Sequence, residues 1–88
     1  MNLVRTGQFK KDYKRVEKQG KDLEDLRSLL EALVQGKSLP RQYRDHTLSG
    51  RWKKHRECHI APDWLLIDRI DGDDVILERT GSHSELFR

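Results

Sequence analysis

The sequence of 88 residues contains one cysteine, two prolines and few aromatic side chains. A single cysteine, Cys58, excludes an internal disulfide framework. No apolar run is long enough to span a membrane, and no signal-peptide pattern is present. The sequence also lacks internal repeats, low-complexity stretches and linkers. These absences predict a cytoplasmic protein that forms one domain over residues 1–88 and has no membrane partner.

Charge is abundant and unevenly distributed. Charged residues make up 38% of the sequence and hydrophobic residues 34%, a balance that some disordered chains share. The apolar residues nevertheless fall in periodic clusters, which predicts a folded domain. Residues 1–44 carry 11 basic and 6 acidic side chains, whereas residues 45–88 carry 7 basic and 9 acidic side chains and all four histidines. The basic half predicts a polyanionic partner.

Two amphipathic helices are predicted in the basic half. Phe9, Tyr13 and Val16 recur at the spacing of one helix face and follow Thr6, a suitable cap. A second helix begins after the capping Asp22, and its apolar stripe consists of Leu23, Leu26, Leu29, Leu30 and Leu33. The two helices form a predicted hairpin. The leucine stripe is interpreted as core packing, because a coiled coil needs three or four sustained heptads.

Strand patterns dominate the second half, at residues 52–60, 64–70 and 75–80. The turn signals between them predict an antiparallel meander. Ser82 and Glu85 match a capping box, which predicts a short terminal helical turn. With a short strand at Leu3 and Val4, the order is β-α-α-β-β-β. This order predicts an α+β fold in which the helical hairpin covers one face of an antiparallel sheet and leaves the other face open.

The histidines are the candidates for acid–base chemistry, because imidazole moves protons near neutral pH. They are His46, His55, His59 and His83, with the carboxylates of Glu57 and Asp63 nearby in the sequence. Any one of them alone is more often an ordinary surface residue. A metal site is not predicted, because no His-x-x-x-His or Cys-x-x-Cys spacing occurs.

Strand alternation separates the candidates between two faces. Glu57 and His59 share a polar face, and Cys58 points to the opposite one. Arg79 has the parity of Leu77 in the last strand, so alternation alone does not bring Arg79 to the face of His59.

A basic tract with two aromatic residues occupies residues 41–56. It contains Arg41, Arg44, Arg51, Lys53, Lys54 and Arg56, together with Tyr43 and Trp52. Such a tract is typical of an RNA-binding surface, where cations neutralise phosphates and aromatic rings stack on bases. It is equally typical of a solvated strand edge whose Trp52 packs in the core.

Four segments together resemble the YafQ-type toxins of the RelE/ParE superfamily. They are residues 43–52, with the pattern Asp-His-x-Leu-x-Gly-x-Trp, residues 56–67, with His-x-x-Pro-Asp-Trp, residues 78–83, with Glu-Arg-Thr-Gly-Ser-His, and the pair Leu86-Phe87. The resemblance implies a RelE/ParE-like fold, a toxin of a type II toxin–antitoxin system and a ribosome-dependent mRNA endonuclease. It also implies a cognate antitoxin of the DinJ or RelB kind.

The same resemblance implies the functional positions. They are His46, His59, Asp63, Trp64, Arg79, His83 and Phe87, and Glu57 stands where relatives often have aspartate. We expect metal-free cleavage in the ribosomal A site with no cofactor. His83 is the expected acid, and the expected base is either His46 or a His59 oriented by Asp63.

Three further roles concern the substrate. We expect Arg79 to stabilise the phosphate charge and Trp64 and Phe87 to stack on bases. Lys53, Lys54 and Arg56 are expected to bind the RNA backbone.

A non-catalytic function is the alternative. ParE relatives share the fold and poison gyrase, so the fold by itself does not determine the activity. A ParE-like toxin or a plain RNA- or protein-binding module has no need for four histidines together with Asp63.

Overall fold

The computed structural model describes residues 1–87. The strands are β1 (Asn2–Arg5), β2 (His46–Thr47), β3 (Arg56–Ala61), β4 (Trp64–Asp71) and β5 (Asp74–Gly81), and the helices are α1 (Gly7–Lys18), α2 (Leu23–Val34) and α3 (His83–Leu86). The predicted α+β class and helical hairpin are confirmed. None of the helices within residues 1–87 is long and apolar enough to cross a membrane.

The helices begin at the predicted caps. The Thr6 side chain accepts a hydrogen bond from the backbone N–H of Phe9, and the Asp22 side chain accepts one from the backbone N–H of Glu24. Ser82 and Glu85 form a complete capping box at α3. Each cap satisfies backbone donors that the first turn of a helix leaves free.

The five strands form one mixed sheet in the order β1-β5-β4-β3-β2. The meander from β3 to β5 is antiparallel as predicted, but β1 pairs with β5 in parallel. The predicted strand at residues 52–60 begins only at Arg56, because Gly50–Trp52 forms a 3₁₀ turn and Lys54 has a φ of 71°. The two-residue β2 was not predicted, since both of its side chains are exposed and leave no apolar alternation.

The helical hairpin covers one face of the sheet, as predicted. The main core cluster consists of Phe9, Val16, Leu26, Leu29, Leu33, Tyr43, Cys58, Trp64, Leu66, Val75 and Leu77. A smaller cluster of Leu65, Ile67 and Leu86 forms elsewhere, and Leu48 and Trp52 pack against it. Because Leu65 and Ile67 alternate with Trp64 and Leu66 along β4, this second cluster lies on the opposite face. That face is therefore partly covered by α3 and the segment before β3, rather than fully open.

A fully buried carboxylate joins α1 to the end of β5. Asp12 accepts hydrogen bonds from Arg79 Nε (2.7 Å), Arg15 Nη1 (2.9 Å), the Thr80 backbone N–H (3.1 Å) and Gln8 Nε2 (3.2 Å). Burial raises the pKa of Asp12, but the hydrogen bonds from Arg79 and Thr80 outweigh it and hold the pKa below its ordinary value. The ionised form of Asp12 therefore stabilises the folded state.

We expect Asp12→Ala to lower the free energy of unfolding by about 3–5 kcal/mol at neutral pH, the cost of breaking a buried ion pair. The folded-state pKa is lowered, so this stabilisation is present above the ordinary aspartate pKa and is lost as the pH falls through the folded-state pKa. Urea unfolding measures this effect. As the pH decreases, the difference in the free energy of unfolding between wild type and variant should become smaller. The exposed Glu17→Ala on the same helix is the control, with a change within about 0.5 kcal/mol. A difference that does not vary with pH would contradict the role of the ionised carboxylate.

Candidate active site

Three imidazoles surround one carboxylate on the sheet face that the helical hairpin leaves uncovered. Glu57 is only 5% exposed. Its Oε2 lies 2.7 Å from His46 Nε2 and 4.0 Å from His59 Nε2, and its Oε1 lies 3.3 Å from His83 Nε2. The His59 ring is centred 6.0 Å from the rings of both His46 and His83. The three histidines predicted to be catalytic therefore form one cluster around Glu57, which we call the imidazole cluster.

Cross-strand pairing assembles the imidazole cluster. The register of β2 and β3 sets His46 opposite Glu57, and the register of β3 and β4 sets Ile67 opposite Glu57. Residues opposite each other in an antiparallel pair project to the same face. His59 lies two residues beyond Glu57 on that face, and α3 adds His83 after β5 ends.

Asp63 contacts a different histidine from the one predicted. Its Oδ1 accepts a hydrogen bond from the backbone N–H of His83 and lies 3.1 Å from His83 Nδ1. The prediction that Asp63 orients His59 is therefore wrong, because the turn between β3 and β4 directs the carboxylate towards α3. The hydrogen bond from the backbone N–H of His83 has the largest effect on Asp63, and the one from the His83 side chain the next largest. Together they hold the pKa of Asp63 below its ordinary value.

His83 is held between two carboxylates. Nδ1 faces Asp63 and Nε2 faces Glu57, at 3.1 and 3.3 Å. The Nδ1 contact has the geometry of a hydrogen bond, and the Nε2 contact is within ion-pair distance.

The surroundings of His59 favour its neutral form. Burial lowers the pKa of His59, and the nearby Glu57 charge, which raises it, compensates only in part. The neutral imidazole of His59 can therefore accept a proton at neutral pH.

Two predicted substrate-binding residues belong to the helix-facing side of the sheet. Trp64 is 2% exposed, and its indole N–H donates to Thr80 Oγ1 at 2.9 Å within the main core. Arg56 donates two hydrogen bonds, of 3.1 and 2.8 Å, to the fully buried Asp68. The structure contradicts both predictions, because strand alternation turns these side chains away from the imidazole cluster.

A bulge decides the position of Arg79. Asp68 pairs with Leu77 but Ile67 pairs with Arg79, which leaves one residue of β5 unpaired. The extra residue reverses the alternation, so Leu77 faces the helices while Arg79 shares the face of Ile67. Its guanidinium is bound at the edge of β5 by Asp12. Simple alternation could not reveal this placement.

Three predicted substrate-binding residues remain. One lies beside the imidazole cluster, and the other two are exposed in the segment before β3. Phe87 is 39% exposed, and its ring is centred 6.1 Å from that of His83. Lys53 and Lys54 are exposed just before β3. His55, which has no expected role, lies apart from the cluster, with its Nε2 2.9 Å from Glu78 Oε2.

Three members of the cluster could also bind a metal ion. His46, Glu57 and His59 each offer a ligand atom, and these atoms lie within 4.8 Å of one another. Two imidazoles and a carboxylate suit transition metals such as zinc or copper. The spacing in the sequence did not reveal this set, because the pairing of β2 with β3 creates it.

Comparison with known families shows which family the chain belongs to. The family described as "Bacterial toxin of type II toxin-antitoxin system, YafQ" matches residues 1–88. The chain belongs to the YafQ family of toxins. The "mRNA interferase toxin YafQ" of Escherichia coli K12 is 41% identical over 83 residues, which cover 93% of this chain and 90% of that protein. The family predicted from the sequence motifs is thus confirmed.

Solved structures of YafQ-family toxins share the fold. The toxin in a crystal structure of the E. coli DinJ-YafQ complex has a TM-score of 0.91 and 39% identity, with 99% of this chain and 98% of that chain covered. A metal-bound toxin from Helicobacter pylori also has a TM-score of 0.91 and 39% identity, with 99% of each chain covered. The imidazole cluster of this YafQ-family toxin is therefore carried by the fold common to these structures.

The central role of Glu57 can be tested by imidazole titration. In Glu57→Gln the pKa of His59 should fall further, because the charge that raises it is lost while burial remains. NMR of the imidazole C–H groups measures the shift. Glu78→Gln, which removes the carboxylate bound to His55, should leave His59 unchanged. A His59 pKa unaffected by Glu57→Gln would show that the carboxylate does not act on this imidazole.

Proposed function

We propose that this toxin is an mRNA interferase that cuts mRNA in the ribosomal A site by metal-free acid–base catalysis and so arrests translation. The E. coli relative is named an mRNA interferase. The observation that carries the proposal is the imidazole cluster, in which His46, His59 and His83 share Glu57. It supplies neighbouring groups for taking and giving a proton.

The chemistry requires a base, an acid and a cation. The ribose 2′-oxygen loses its proton to His59 or His46 and attacks the adjacent 3′-phosphorus. The bond to the 5′-oxygen then breaks, and His83 donates a proton to that leaving oxygen. Arg79, positioned by Asp12, offsets the additional negative charge on the phosphate. Lys53 and Lys54 contact the RNA backbone.

The partners follow from the same proposal. A YafQ relative has been crystallised with the antitoxin DinJ. We propose that a DinJ- or RelB-like antitoxin binds this chain and holds it inactive, and that the free toxin acts on ribosomes in the cytoplasm.

A bound metal would compete with this mechanism. His46, Glu57 and His59 fit a transition-metal ion, and a related H. pylori toxin has been solved with a metal. When bound, such an ion supplies Lewis-acid polarisation of a phosphoryl oxygen. The lone pairs of His46 and His59 would then be used as ligands and could not accept a proton.

Metal dependence therefore separates the two mechanisms. Excess EDTA, in a buffer that keeps ribosomes intact with a non-catalytic cation, should leave cleavage unchanged. Added Zn²⁺ should slow cleavage in proportion to its occupancy of the site. Primer extension on a translated message measures both effects. A strict requirement for zinc or manganese would overturn metal-free catalysis.

Loss of His83 tests the proposed acid. His83→Ala should reduce the cleavage rate by about 10²–10⁴-fold, the usual contribution of a positioned acid. The side chain is 53% exposed, so we expect a stability change of about 0.5 kcal/mol. The exposed Glu17→Ala on α1 is the control and should cut at the wild-type rate.

Primer extension on ribosome-bound mRNA supplies the measurement, with antitoxin binding as a check of folding. Near wild-type cleavage by folded His83→Ala would contradict the acid assignment. If the wild-type toxin yields no new 5′ ends, the non-catalytic, ParE-like alternative is favoured.

A further inference from the structure

Two aromatic rings form a corner beside α3. The rings of Trp52 and Phe87 are centred 6.4 Å apart and are inclined at 79° to each other. Phe87 also lies 6.1 Å, between ring centroids, from His83. We call this pair the aromatic corner. It lies next to the imidazole cluster, on the same face of the sheet.

The Trp52 side of the corner is held firmly by its neighbours. Trp52 packs against the cluster of Leu65, Ile67 and Leu86. Its ring meets the His55 ring edge-on at 5.2 Å, and His55 is bound in turn to Glu78. His55 thus has a structural function that its sequence position did not suggest. A ring fixed in this way loses little entropy when a flat ligand stacks on it.

The Phe87 side is exposed, with 39% of the residue accessible. An apolar ring left in water next to charged groups is favourably covered by another flat, weakly polar surface. Because the two rings are nearly perpendicular, a flat ligand that stacks on one ring meets the other ring edge-on. This geometry accommodates a single heteroaromatic ring system.

Two positively charged side chains follow the aromatic corner directly in the sequence. Lys53 and Lys54 come immediately after Trp52, and both are exposed. Lys54 has a φ of 71° and lies between the end of the 3₁₀ turn and the start of β3. Stacking rings beside backbone cations are the two elements with which proteins bind unpaired nucleotides.

We infer that the aromatic corner binds one nucleobase of the mRNA beside the phosphate that is cut, with Trp52 as its fixed wall. The inference rests on the proposed function. It assigns to Trp52 the stacking role that was expected of Trp64, which lies in the core. A nucleobase fits better than a protein helix, because a helix needs a long apolar groove whereas the corner offers two rings flanked by lysines.

A fluorescent base provides a direct test. The probe is mRNA with 2-aminopurine in the A-site codon and 2′-O-methyl groups that block cleavage, bound to ribosomes. The wild-type toxin should quench the 2-aminopurine emission, because the base stacks on an aromatic ring. Trp52→Leu keeps an apolar side chain against Leu65 and Ile67 but removes the aromatic surface. It should abolish most of the quenching and raise the half-saturating toxin concentration about 10–100-fold, as the loss of one stacked base predicts.

Two further variants complete the comparison. Trp52→Phe should recover part of the quenching, which a purely structural role would not require. Trp64→Phe, a change within the core, should quench like wild type. Thermal unfolding and antitoxin binding confirm that each variant is folded.

The outcomes distinguish this inference from the proposed function. A folded Trp52→Leu that quenches and binds like wild type overturns the aromatic corner but leaves cleavage unaffected. Wild-type toxin that fails to cut the unmodified message overturns the proposed function. In that case the quenching still reports whether the corner binds a base.

Discussion

Cross-strand register in β3, β4 and β5 is the constraint on which both the core and the candidate site depend. It sends Cys58, Trp64 and Leu66 under the helical hairpin and sends Glu57, His59 and Ile67 to the other face. Because side chains alternate strictly along a strand, a shift of one residue would exchange the two sets. The apolar set makes such a shift costly, so hydrophobic packing on one face also fixes the polar groups on the other.

Glu57 shows how the fold maintains a polar cluster. A buried carboxylate is costly unless it is paired, and the three neighbouring imidazoles provide the partners. The same contacts give the histidines different environments. His83 is held between two carboxylates, whereas burial lowers the pKa of His59. Groups whose surroundings differ in this way can divide acid and base roles at one pH.

The helical layer contributes to the site through the edge of β5. Asp12 binds Arg79 and the backbone of Thr80, and Arg15 donates to the Thr80 carbonyl and pairs with Glu85 of α3. One turn of α1 therefore holds both the candidate phosphate-binding residue and the helix that carries His83. This arrangement explains why Asp12, a charged side chain of α1, is buried in so small a domain.

Local features of this protein follow from the sequence by itself. The helix caps, the two apolar helix faces, the meander and the α3 capping box depend on residues close together in the chain, and the motifs are sufficient to identify the family. Contacts between distant residues required the tertiary structure. The pairing of β2 with β3 places His46 opposite Glu57, and the bulge in β5 moves Arg79 to the face of Ile67. The turn between β3 and β4 places Asp63 against His83 rather than His59. Trp64 and Trp52 look alike as residues in a sequence, and only the packing of the sheet decides which of them is buried.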